Sequence, residues 1–87
     1  MTSKVDSTLQ EQIDAAKRDE SHRAIPVIVT VAQGTDPSIL GQSGLQIQRA
    51  VESISAICGT IKAEQVEAVA KLDQVSLIEY DGQTHAV

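Results

Sequence analysis

The sequence predicts an α+β domain, a ferredoxin-like βαββαβ sandwich in which two helices cover one face of a four-stranded antiparallel sheet. Three observations point there. Residues 25–31 (IPVIVTV) form a run of β-branched residues, closed by Gln33-Gly34 and followed by a helix start at Asp36-Pro37. Residues 56–61 (AICGTI) form a second short strand that leads into a segment of high helix propensity, residues 63–72. Residues 75–80 (VSLIEY) form a last apolar strand. With residues 45–53 taken as a strand, the order is strand, helix, strand, strand, helix, strand.

Residues 1–24 are a polar arm. Leu9, Ile13 and Ala16 fall at helical spacing, and Ser7 followed by Gln10 has the form of a capping box. The apolar stripe is thin, so the arm is read as either a short helix or a disordered segment. The domain proper spans residues 25–81, and residues 82–87 form an extended tail. Pro26 lacks an N–H, which places it at the start of its strand or on a sheet edge. Asp36 suits an N-cap and Pro37 a first helical position; Gly41 and Gly44 keep that helix short. Residues 45–54 (LQIQRAVESI) fit a strand face or a helix face, and period alone does not decide between them. Gly59 inside the next strand marks a bulge or a close backbone approach. In residues 63–72, Val66, Val69 and Ala70 share a stripe, with Glu64 in the first turn and Lys71 in the last. Asp73-Gln74 turns the chain into the final strand.

Eighty-seven residues make one small domain, able to bury roughly 60% of its unfolded surface. Tyr80 is the sole aromatic, so Val, Ile, Leu and Ala must build the core, and the isolated domain is expected to be marginally stable and to fold with a partner. A net charge of −5 argues against nucleic acid and against an anionic membrane surface. No apolar run reaches the ~20 residues of a membrane-spanning helix. The polar N-terminus is not a signal peptide, which leaves an intracellular protein or a secreted one whose leader is absent. Cys58 is the sole cysteine; in an apolar run it reads as a buried thiol.

Residues 75–81 (VSLIEYD) carry the pattern Val-x-x-Ile-Glu-x-Asp, and an uncharged tail follows. This resembles the C-terminal strand of subtilisin propeptides and the related small proteinase inhibitors. The resemblance extends in order over residues 25–87: IPVIVTVAQGTDP is similar to the family's opening strand and exit turn. GLQIQRAVESISAICGTIKAEQVEAVAKL is similar to the middle segment, in which Ile61-Lys62-Ala63-Glu64-Gln65-Val66 enters the second helix. The comparison turns residues 45–53 from helix to strand. The chain departs from the family in a shorter first helix, in missing middle-strand aromatics, and in Ser55-Ala56 where a glycine often precedes the third strand.

The resemblance implies an inhibitor or folding chaperone of a subtilisin-like serine protease. It also implies roles for particular residues. Glu79 and Asp81, two apart on a strand and so on one face, would cap two protease helices, whose N-termini offer unpaired N–H groups and partial positive charge. Thr84, His85, Ala86 and Val87 would lie in the active-site cleft as an added strand, with Val87 in the primary specificity pocket and Thr84 in the apolar pocket three residues upstream. Val87 and Thr84 are small anchors, so weak binding to a typical subtilisin, or tuning to another protease, is expected. No cofactor and no metal are expected, since no carboxylate stands at ligand spacing from His22 or His85. No catalytic group is expected, since Ser53, Ser55 and Cys58 have no histidine base near them. Gly41-Gln42-Ser43-Gly44 reads as a turn, not a phosphate loop. The rival reading is a ferredoxin-like domain that self-associates through strand edges or binds a small regulatory ligand.

Overall fold

The computed structural model describes residues 4–19 and 24–81. Its elements in order are α1 (Ser7–Asp19), β1 (Ala24–Val31), α2 (Ser38–Gln42), β2 (Gln46–Val51), β3 (Ala56–Lys62), α3 (Val66–Ala70) and β4 (Val75–Tyr80). One turn of 3₁₀ helix, Glu52–Ile54, closes the β2–β3 hairpin, and another, Ala63–Gln65, leads into α3. The four strands form one antiparallel sheet in the order β2-β3-β1-β4, consistent with the expected ferredoxin-like arrangement.

β1 organises the sheet. It pairs with β3 along one side and with β4 along the other. Its alternate residues Ile25, Val27, Val29 and Val31 are buried, as a strand covered on one face requires. Pro26 falls at its third residue, before the paired register with β4 begins at Val27. Ile57 and Ile61 of β3 and Val75 and Ile78 of β4 join the same buried face. Leu40 of α2 and Val66 and Val69 of α3 close over it.

Residues 7–19 are an ordered helix. Its stripe is narrow but fully used: Leu9 and Ala16 are 0% exposed and Ile13 is 4%. Burying the Leu and Ile side chains contributes about 2 kcal/mol each, enough to hold a helix too short to persist alone. The arm therefore shares one core with residues 25–81. The cap is one residue earlier than the capping box implied: the Thr8 N–H donates to Asp6 Oδ2 at 3.0 Å and the Gln10 N–H to Asp6 O at 2.9 Å.

The helix after β1 is reduced to five residues. The Ser38 N–H donates to Asp36 Oδ1 at 3.0 Å, which holds the Asp36 carboxyl below its usual range. At the far end the Leu45 N–H closes onto Leu40 O at 3.0 Å, with Gly44 in the left-handed region at φ 115°. The chain then enters β2, so the residues whose period was ambiguous are extended. β2 carries a bulge between Ile47 and Arg49. Gly59 faces that bulge, and a Cβ there would collide with Gln46 O and lie 3.2 Å from Ile47 Cα.

Ser55, between the hairpin turn and β3, has φ 51°. This is where the resembled family tends to place glycine, and a side chain there costs roughly 1–2 kcal/mol. Ser55→Gly is expected to raise stability by about 0.5 kcal/mol, the relieved strain being partly offset by greater chain entropy when unfolded. Gly59→Ala is expected to lower it by about 1–3 kcal/mol or more, because the obstacle is backbone and cannot rotate aside. Urea unfolding of the two variants beside the native chain checks both signs.

Candidate functional site

Glu79 stands opposite Ile28 of β1, on the sheet face that carries no helix. Ile28 in turn faces Cys58, and Cys58 faces Arg49. One row thus crosses the open face from β4 to β2: Glu79, Ile28, Cys58, Arg49. A second row runs Leu77, Thr30, Ala56, Val51. The open face is mixed in character, with Pro26, Ile28, Leu77 and Val51 half-buried between polar neighbours. An antiparallel sheet tolerates one solvated face, and half-buried Ile28 and Leu77 leave some apolar surface on it.

The β1–β4 ladder continues one residue past β4. The Asp81 N–H donates to Pro26 O at 2.9 Å, so Asp81 is held extended beside β1. Two residues apart on extended chain, Glu79 and Asp81 lie on the same side. Both are half-buried. Thr84, His85, Ala86 and Val87 lie outside the described residues.

Cys58 is not in the core. It is half-buried on the open face, between Ile28 and Arg49. The apolar run around it suggested burial, but in β3 the core-facing positions belong to Ile57, Gly59 and Ile61. Among the described residues, no group of three His, Cys, Asp or Glu side chains is placed to hold a metal ion. Among them, too, no helix is long and apolar enough to cross a membrane.

A cavity of about 400 Å³ opens at the end of the sheet remote from Asp81, lined by Val31, Thr35, Pro37, Val51, Ser55 and Ile57 among others. Neither carboxylate lines it. It sits beside the β2–β3 turn, where Ile54 is 66% exposed.

Sequence reasoning placed Glu79 and Asp81 together but missed Ile28, Leu77 and Arg49. Alternation in β1 could have flagged Ile28, since the buried set Ile25, Val27, Val29 and Val31 leaves it on the other side. Comparison with known proteins found no matching family model, no matching curated protein and no matching solved structure.

Proposed function

We propose that this chain inhibits a subtilisin-like serine protease, presenting the open sheet face to the protease surface and its tail to the active-site cleft. One observation carries the reading. β4 sets Glu79 beside Ile28 on the helix-free face, and the Asp81 N–H···O Pro26 bond holds the chain on that sheet up to the point where residues 82–87 begin. Half-buried apolar residues and two carboxylates therefore share one side of the sheet, up to the last described residue, Asp81.

The parts divide the work. Glu79 and Asp81 accept hydrogen bonds from exposed helix N-termini of the protease, where the partial positive charge favours an anion. Ile28 and Leu77 cover apolar protease surface beside them. The tail adds as a strand to the cleft, and its main chain supplies most of the hydrogen bonds. Val87 takes the primary specificity pocket, Thr84 the apolar pocket three residues upstream, and His85 and Ala86 lie between. A domain that folded against its protease in this pose would also act as a template for the protease's own folding.

Titration into subtilisin with a chromogenic substrate tests this. The native chain is expected to inhibit, and a version ending at Gln83 to lose at least ~100-fold in affinity, since two filled pockets and a strand of hydrogen bonds go with it. Unchanged inhibition by the shortened version would refute the tail's role. The pair Glu79→Gln with Asp81→Asn is expected to weaken binding about 10-fold, mostly at low salt, in keeping with two helix-end contacts of about 0.5–1 kcal/mol each.

A second reading, self-association, is favoured by β2. Its residues 46–50 are exposed on both faces, among the described residues it pairs only with β3, and the exposed Ile47 and Ile54 lie in and beside it. Such an edge invites strand pairing between copies. Sedimentation velocity separates the readings: removing residues 84–87 should leave any β2-mediated dimer unchanged.

A further inference from the structure

Residues 4–6 run along the outer edge of β4. The Ile78 N–H donates to Lys4 O at 2.7 Å and the Asp6 N–H to Ile78 O at 2.9 Å, with Val5 bridged in parallel to Ile78. The Lys4 ammonium donates to Leu72 O at 2.9 Å, in the loop by which the chain enters β4. Asp6 then caps α1, and α1 packs on the inner face of the sheet against β4, with Leu9, Ile13 and Ala16 in the core. A single continuous segment thus grips β4 at its edge, at its entry and from beneath. β4 is an edge strand of the four-stranded sheet and carries Glu79.

We propose that residues 4–19 are a positioning clamp that builds β4 before any protease is met, so that the domain docks already folded and serves as a free-standing inhibitor. This rests on the inhibitor reading above and narrows it. A domain that borrows the protease surface to complete β4 is a folding assistant; one that supplies that support in cis is an inhibitor that needs no partner to fold. The hydrogen bonds of Lys4 and Asp6 with β4 and its entry loop go to Ile78 and Leu72, neither of which is given a contact with the protease. Loss of the clamp acts only through the fraction of molecules whose β4 is formed, which lowers apparent affinity by that fraction and leaves the bound complex as it was.

The test uses the full chain and two variants, Leu9→Ala and the milder Lys4→Met. Thermal unfolding by circular dichroism is followed without protease, and association and dissociation with subtilisin are followed by stopped flow. The native chain is expected to show a cooperative transition on its own. Lys4→Met should lower its midpoint by about 4–8 °C, the shift expected when one charged hydrogen bond is lost from a domain of this size. Leu9→Ala should lose most of its helical signal when free and regain it with excess subtilisin, associating at least ~10-fold more slowly while dissociation stays within about 2-fold. Leu9→Met should restore both. A native chain with no transition of its own overturns the clamp. So does a Leu9→Ala chain that unfolds like the native one, or a variant that stays folded yet dissociates faster. A native chain that folds alone, with the expected variant midpoints, but leaves subtilisin uninhibited overturns the inhibitor reading and the docking role with it; the thermal data identify that case separately.

Discussion

The structure depends on β1 being hydrogen-bonded along both sides while only one of its faces is covered. Its alternate residues, from Ile25 to Val31, face the helices and are buried, and its register with β3 and β4 fixes where every other strand residue points. With no Phe or Trp in the chain, burial must be assembled from many small aliphatic contacts, and those contacts require α1, α2 and α3 on the same face. The opposite face is what remains. Its character is a consequence of the strand that serves the core, because Pro26, Ile28 and Thr30 occupy the positions between Ile25, Val27, Val29 and Val31.

The legible parts of the fold were those where burial leaves a mark on the sequence. β1 and β4 announce themselves through β-branched and aliphatic runs, and residues 63–72 through a stripe of Val66, Val69 and Ala70. β2 could not be read by period, and its exposure on both faces gives the reason: nothing in its surroundings selects one face over the other, so no alternation is imposed. α1 looked too thin to trust. Three small-to-medium side chains suffice there because each is buried almost completely. The hydrogen bonds by which residues 4–6 hold β4 at Ile78 are main-chain bonds, and main-chain bonds leave no side-chain signature to find.

The candidate site was legible to a similar degree and for similar reasons. Two carboxylates spaced by one residue on a strand must share a side, so Glu79 and Asp81 could be paired from sequence. That they share it with Ile28 and Cys58 could not, because strand register is set by pairing across the sheet and not by either strand alone. Gly59 was readable as a close approach, although its cause, the bulge of β2 opposite it, belongs to another strand.

The row from Glu79 to Arg49 spans three strand spacings, about 14 Å, and is negative at one end and positive at the other. A face with that polarity does not accept a partner equally in two orientations. Placing helix N-termini against Glu79 and Asp81 puts Arg49 toward whatever lies about 14 Å away, where an acidic or carbonyl-rich surface is matched and a basic one is penalised. Turning the partner around would set its positive end against Arg49 and leave the carboxylates facing helix carbonyl ends. Such like-charge contacts discriminate between poses more than they add affinity. Orientation is what the proposed tail-in-cleft mechanism would require, and the last described residue, Asp81, is held to the sheet at the Glu79 end of that row. Under the proposed reading, the charge arrangement on the open face would therefore favour one of the two orientations of a docked protease.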